Sequence, residues 1–486
     1  MAAGQGDMDR RYSSQVSPGI TFRSFITGGG AAVIRACPLL ALMTTAALAG
    51  VPEDAPTPAT EALSEERPLP TDTSVAAGAL LGDAAALVAW LREHNKDVLA
   101  AAARVDQAAA GLAQSRLLLN PSLEGSLSDV TVGKTNPPGL RYGDTSITGA
   151  TLSETVEIGK RGPRIAAARL RLESERQSYL DTLSGKTAEA RHALARAAYL
   201  TARQEVLEES LGAARQNVDL QRSRAEHGDL SGNDYDRLLV DTMILESEVA
   251  GNRQELDAAV AACGAVLFAP CDLAGADPSR LSEAAPLPPA PDVETALARR
   301  PDLQALALER DSAEKEALLA RRRRIPDPSL SVGYTHDNLT ISGDQPNTLL
   351  FSLGIPLPVF DRGQHDAARA EGRALELDRA ALASRQRGRA EVTALLSRKA
   401  SLETTLAALT GQAVPKSKGV LEATLAAVNQ GGMSMTDLLL TRRTHTDLLL
   451  KVMDLQFDLF AVRNDLRRAL GLDADTARQA SLEVSP

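Results

Sequence analysis

The chain has 486 residues, enough for two or three ordinary domains, yet only 3% of them are aromatic while 24% are charged. Large globular cores are usually richer in aromatics, whereas abundant Ala, Leu, Arg and Glu with few aromatics suits long, thinly packed helices. A net charge of −10, with no basic patch interleaved with aromatics, argues against nucleic acid as a partner.

Arg10, Arg11, Arg23 and Arg35 precede an apolar run over 36–49, and no acid follows Asp9 within that region. Ala47-Leu48-Ala49 fits the small-x-small cleavage rule, so residues 1–49 are expected to be a secretory signal peptide. The competing reading, an inner-membrane anchor, meets a run of about 14 residues, short for a bilayer span. Cys37 precedes the apolar run rather than ending it, which disfavours a lipoprotein site. No other stretch reaches the length of a transmembrane helix. Residues 50–83, rich in Pro, Glu and Thr, read as a disordered leader.

Helical periodicity begins near Asp83, weakens around His94-Asn95 and continues to Leu119, where Asn120-Pro121 ends it. The period then changes to short, Thr- and Ser-containing alternation over about 121–130 and 146–158, predicting two strands and a loop. From 163 to 227 the sequence runs without an internal proline; at 1.5 Å per residue that predicts a helix on the order of 100 Å. It turns back at Gly228-Asp229-Leu230-Ser231-Gly232-Asn233-Asp234, giving a helical hairpin over 162–267.

Residues 268–301 hold Pro270, Pro278, Pro286, Pro288, Pro289, Pro291 and Pro301 and are expected to form a non-helical side element. The order then repeats. A helix opens at Arg300-Pro301-Asp302 and ends at Ile325-Pro326-Asp327-Pro328, strands are expected at about 329–338 and 347–359, and a second hairpin over 363–471 turns at 431–437. Leu349, Phe351, Leu353, Ile355, Leu357 and Val359 alternate with Leu350, Ser352, Gly354, Pro356 and Pro358. Such a face fits a lipid-facing wall, or equally a half-buried sheet in a soluble protein. Residues 473–486 read as a polar tail.

The two copies align: Asn120-Pro121-Ser122-Leu123 with Asp327-Pro328-Ser329-Leu330, Gly162 with Gly363, and the tip glycines Gly228 with Gly431. Sixteen residues before each tip stand Gly212 and Pro415, both helix weakeners, so both long arms are expected to bend at one level. Tandem duplication is the simplest cause.

With Ile158-Gly159-Lys160-Arg161, Arg164 and Arg324-Ile325-Pro326-Asp327-Pro328, these features resemble the TolC-type outer-membrane efflux channels, and within them the CzcC-like heavy-metal branch, over 84–472. The resemblance implies a mainly helical fold with a small β part. Long tandem hairpins would form an α-barrel in the periplasm, and each chain of a homotrimer would give four strands to a twelve-stranded transmembrane β-barrel, with the proline-rich segment in a belt around the tunnel. Physics points the same way: four strands close no useful bore alone, and open edges cannot face lipid. The resemblance further implies two partners, a periplasmic adaptor protein and an inner-membrane transporter of the RND type.

Each tip carries Ser-x-x-Asp, Ser231 with Asp234 and Ser434 with Asp437, which on its own reads as a capping-box variant. In the family these tips line the entrance and dock the adaptor, which adds Gly228, Leu230, Gly431 and Met433 as contact residues. Asp437 matches a family position where an acid ring narrows the entrance; three residues on, where some members have a second acid, this chain has Leu440. Arg321 to Arg324 end a helix, where they favour its dipole or, with the strands in a membrane, phospholipid phosphates. Cys263 and Cys271 are expected either to pair in an oxidising periplasm or to remain small core residues. His94, His192, His227, His336, His365 and His445 show no metal-ligand spacing, so neither a metal site nor a cofactor is expected. Without a Walker loop, HExxH, GxSxG or dinucleotide fingerprint, an enzyme is not expected. The expected function is passive export through the outer membrane, with heavy-metal cations as cargo. Drug efflux and type I protein secretion are alternatives on the same fold; a periplasmic coiled-coil scaffold is the alternative from another class.

Overall fold

The computed structural model describes residues 75–135, 138–227, 231–273, 287, 292–338 and 345–482. The expected signal peptide, the leader up to residue 74, Gly228, Leu230 and most of the proline-rich segment lie outside the described residues. The elements are β1 (Val75–Ala76), α1 (Ala77–Gly82), α2 (Ala84–His94), α3 (Lys96–Arg116), β2 (Ser122–Ser128), α4 (Tyr142–Thr145), β3 (Ile147–Thr155), α5 (Arg161–Glu226), α6 (Gly232–Leu267) and β4 (Cys271–Asp272). After them come α7 (Val293–Arg299), α8 (Pro301–Arg322), β5 (Ser329–Asp337), β6 (Asn347–Gly354), α9 (Gln364–Ala408), a π-helical turn (Leu409–Ala413), α10 (Val414–Asn429), α11 (Met435–Ala469) and α12 (Leu472–Leu482).

The long arms have the predicted reach. α5 runs 66 residues, on the order of 100 Å, and the second arm from α9 through α10 is equally long. They differ at the expected bend. Gly212 sits inside an uninterrupted α5, because glycine costs a helix only about 1 kcal/mol and keeps its N–H. Pro415 supplies no N–H and crowds the carbonyl four residues back, and here the helix widens into the π-helical turn immediately before α10. Only the second arm is therefore interrupted.

The weak point at His94-Asn95 separates two helices. Asn95 is buried, caps α3 by accepting from the Asp97 and Val98 N–H groups, and donates to Val266 O at 2.9 Å. Its position holds α2 and α3 against the end of α6. Around that point lies the main core, where Leu87, Leu91, Leu183, Leu194, Leu267 and Phe460 are all buried; each such side chain contributes about 1.5–3 kcal/mol. Cys263 and Cys271 are joined by a disulfide with Cα atoms 6.0 Å apart, tying α6 to β4.

Both ends of the chain carry more structure than their composition suggests. The leader gives way to β1, which pairs parallel with β4 through Val75–Cys271 and Ala76–Asp272, and then to α1, whose Leu80 and Leu81 are buried. At the other end the expected polar tail is the helix α12. Its Asp473 is buried, receives hydrogen bonds from Arg191 at 3.3 Å and Arg467 at 3.1 Å, and so fixes α12 to α5 and α11. Arg191 also donates to Asn464 at 2.9 Å. Asp473 looks solvated in sequence because its partner Arg191 stands far upstream on another helix.

The four long strands form one antiparallel sheet in the order β2-β3-β5-β6. β6 stops at Gly354, short of the expected Val359, since Pro356 and Pro358 carry no N–H for a ladder. Ile355, Leu357 and Val359 thus lie beyond the strand rather than on it. The entry into the second arm is fixed by Gly363, with φ +72 and an added Cβ only 2.2 Å from Ala320 O. Gly162, its expected equivalent, is an ordinary residue inside α5; the positive φ of the first copy belongs to Gly159, at +70.

Gly363→Ala should cost about 1–3 kcal/mol, whereas Gly162→Ala should be neutral or stabilise by up to about 1 kcal/mol; denaturant unfolding of both variants checks the difference. Asp473→Ala removes the counter-charge that the buried Arg191 faces and should cost about 3–5 kcal/mol. A silent Asp473→Ala variant in the same assay would return 473–486 to the role of a tail.

Candidate functional site

The sheet has two chemically distinct faces. Register places Leu123, Leu152, Val332 and Phe351 in one row across all four strands, followed by Gly125, Ala150, Tyr334 and Leu349 in the next but one. Leu330 pairs Leu353 on the same face. Between those rows the opposite face carries Glu124, Thr151, Gly333 and Leu350, and beyond them Ser126, Gly149, Thr335 and Thr348. Ser153 and Ser331 are 2.7 Å apart on that second face, and Thr335 and Thr348 are 2.8 Å apart. The apolar row is open to the surroundings, with Phe351 73% exposed. Among the described residues, β2 and β6 each have one neighbour in the sheet, so each presents an edge of backbone donors and acceptors.

At the junction of sheet and helices the motif residues are engaged with one another. Lys160 contacts Asp327 at 2.5 Å, Asp327 also accepts from the Ile158 N–H at 3.0 Å, and Arg164 pairs with Glu157 while donating to Ser115 O and Leu117 O, both at 3.1 Å. The four-arginine run is divided in role: Arg321 pairs with Glu371 and Arg323 with Asp366 on α9.

The two tips are built differently. In the second, the Ser434 hydroxyl accepts from the Asp437 N–H at 3.2 Å, the Asp437 carboxylate accepts from the Ser434 N–H at 3.2 Å, and the hydroxyl donates to that carboxylate at 2.6 Å. Gly431 turns with φ +73, and Val428, Met435 and Leu438 bury one another beneath the turn. Met433 and Leu440 remain exposed. At the first tip Ser231 holds the N-cap position of α6 without a side-chain bond, contrary to the capping-box expectation, and Asp234 instead faces Arg237 at 3.7 Å.

Away from the tips, α5 and α11 of the two hairpins are linked at several levels. Asn464 donates to Ala188 O at 2.9 Å, Arg203 donates to Asp454 at 3.0 Å and to the Tyr199 hydroxyl at 2.9 Å, and Ser210 meets Thr446 at 3.3 Å. Near the last of these, Asp241 of α6 and Arg442 of α11 line one small cavity. Burial pushes the Asp241 carboxyl up, opposed by the Arg443 and Arg442 guanidiniums, and burial lowers Arg442 against the pull of Asp241. Sequence reading missed this cluster, because its members lie on different hairpins; the adjacent Arg442 and Arg443, just past the apolar run Leu438-Leu439-Leu440 of α11, were the local signal. Among the described residues no group of three or more His, Cys, Asp or Glu side chains could hold a metal ion. Among the same residues, no helix is long and apolar enough to cross a membrane.

A family described as Outer membrane efflux protein matches residues 87–262 and 293–472. The sequence is 27% identical over 295 residues to the cobalt-zinc-cadmium resistance protein CzcC of Cupriavidus metallidurans, a stretch covering 60% of this chain and 65% of CzcC, under two thirds of that protein's length. The fold is similar to that of CusC, whose crystal structures concern conformational changes accompanying folding and transmembrane channel formation, with TM-score 0.69 and 20% identity over 80% of this chain and 91% of CusC. It is also similar to the CmeC outer membrane channel of Campylobacter jejuni, with TM-score 0.68 and 15% identity over 89% of this chain and 97% of that one. At these identities the structural likeness is one of fold.

Because Ser434 caps its helix and Ser231 does not, Ser434→Ala should cost about 1 kcal/mol of stability and Ser231→Ala close to nothing. Paired thermal melts of the two variants check this.

Proposed function

Since the chain belongs to the outer membrane efflux protein family, we propose that it is the outer-membrane exit duct of a tripartite efflux system and passively passes heavy-metal cations. Its place is the outer membrane, with the helices extending into the periplasm. The observation that carries the reading is the two-faced sheet: an apolar row across four strands on one side and, on the other, mostly Ser, Thr and Gly with Glu124 and a single large apolar residue, Leu350. That is the polarity needed of a barrel wall between lipid and an aqueous bore.

Three copies would join β2 of one to β6 of the next, removing edges that hydrocarbon cannot tolerate. The hairpins would then bury their stripes against neighbouring hairpins. Gly431, Met433 and Ser434 at one tip, with Gly228, Leu230, Ser231 and Asp234 at the other, would meet a periplasmic adaptor, through which an inner-membrane RND transporter delivers cargo. Asp437 would stand at the entrance, where three carboxylates near one axis attract cations and repel one another. The cargo assignment draws on the name of CzcC and is the part most open to test. A strain lacking the gene should lose tolerance to cobalt, zinc or cadmium and regain it from a plasmid copy; loss of drug tolerance alone would replace metal with drug as cargo.

Placing Arg at Leu353, on the apolar face, should cost about 2–4 kcal/mol and reduce assembly, whereas Arg at Ser352 should be tolerated. Equal damage at both positions, read on native gels of detergent extracts, would contradict the assignment of faces. Asp437→Asn keeps a weaker cap and removes the charge, so planar-bilayer recordings should show reduced cation preference with little loss of stability. Unchanged selectivity would leave Asp437 as a cap alone.

A further inference from the structure

The chain passes between helix and sheet four times, and each passage carries the same order, with arginine on the helix side and apolar residues on the sheet side. Arg116 precedes Leu117 and Leu118 on the way into β2, and Ile158 precedes Arg161 on the way out of β3. Arg324 precedes Ile325 before β5, and Leu357 and Phe360 precede Arg362 after β6. Phe360 is 92% exposed and Leu357 77%, more than Phe351 at 73% on the apolar face of the sheet itself. The backbone there suits an apolar setting, because Pro356 and Pro358 carry no donor and the Val359 N–H is satisfied by Leu357 O at 2.8 Å.

The cations at this level fall into two tiers. Lys160, Arg164, Arg321 and Arg323 each pair with a carboxylate. Arg116, Arg161, Arg324 and Arg362 are exposed and, among the described residues, have no acid partner; Arg161 reaches only Arg116 O at 2.7 Å. Exposed guanidiniums beside hydrocarbon that is exposed at Leu117, Leu118, Ile158, Leu357 and Phe360 and half-buried at Ile325 match the boundary of a phospholipid leaflet, where phosphate oxygens accept bidentate hydrogen bonds.

We propose that these four passages form a lipid-binding collar, whose apolar residues enter the inner leaflet beyond the ends of the strands and whose four arginines hold phospholipid phosphates. The proposal rests on the sheet being a membrane wall. A second copy of the chain is the competing occupant, since the passages beside β2 and β6 adjoin the sheet edges. The passages beside β3 and β5 serve the two inner strands and have the same composition, so one common surrounding, lipid, accounts for all four.

The test uses the full chain in vesicles of phosphatidylglycerol and phosphatidylethanolamine with brominated acyl chains, with Phe360→Trp, Leu349→Trp and Leu220→Trp compared against the native protein and its single Trp90. The emission added by Phe360→Trp and by Leu349→Trp, after subtraction of the native protein's, should fall at least twofold, while that added by Leu220→Trp and the emission of the native protein stay unquenched. If Leu349→Trp is quenched and Phe360→Trp is not, the collar is overturned and the sheet reading stands; if neither is quenched, the membrane wall falls with it. In a second arm, the triple variant Arg116→Gln, Arg324→Gln, Arg362→Gln should retain severalfold fewer phosphatidylglycerol molecules in native mass spectrometry, and the corresponding Lys variant should recover part of them. Equal retention by all three proteins would overturn the role of the arginines.

Discussion

Backbone groups at a strand edge need partners, and in hydrocarbon water cannot supply them. Here that constraint falls on β2 and β6, the two ends of a four-stranded sheet. A soluble protein would cover such edges or blunt them with charge; β6 instead continues its apolar pattern to its last residues and then runs into Pro356 and Pro358. In the proposed duct, strands of neighbouring copies complete the sheet. The long hairpins obey a similar rule, because α6 and α11 carry exposed apolar residues such as Val240, Met243 and Leu440 that need neighbouring helices. In the proposed duct, one assembly step satisfies both.

Much of this was legible in the sequence, because period and punctuation are local properties. The change from helical to alternating pattern at Asn120-Pro121, its return near Ile158, and their recurrence two hundred residues later place the strands to within a few residues. What failed depended on long-range partners or on backbone geometry. Asp473 reads as solvated until Arg191 is brought against it. Gly162 and Gly363 align by letter, yet only Gly363 passes so close to Ala320 O that a side chain cannot fit. Gly212 and Pro415 align by position, but only proline removes a hydrogen-bond donor, so only one arm widens.

The same contrast applies to the site. The Ser-x-x-Asp spacing recurs at both tips, but a closed capping box forms only at Ser434 and Asp437. The Ser-x-x-Asp pattern is common to the two hairpins while their capping geometry differs. Asp241 and Arg442 escaped sequence reading because α6 and α11 meet only in the folded chain. The second tip has its acid held by a cap, and further along the hairpins a half-buried charge cluster, Asp241 of α6 with Arg442 of α11, joins the two.

The account depends most on closure of the sheet by copies of itself in the outer membrane. The direct measurement is the mass of the protein extracted from outer membranes in mild detergent, by light scattering with the detergent contribution subtracted. Three chains per particle are expected. Recovery as single chains in the soluble periplasm would contradict the duct and favour a periplasmic scaffold.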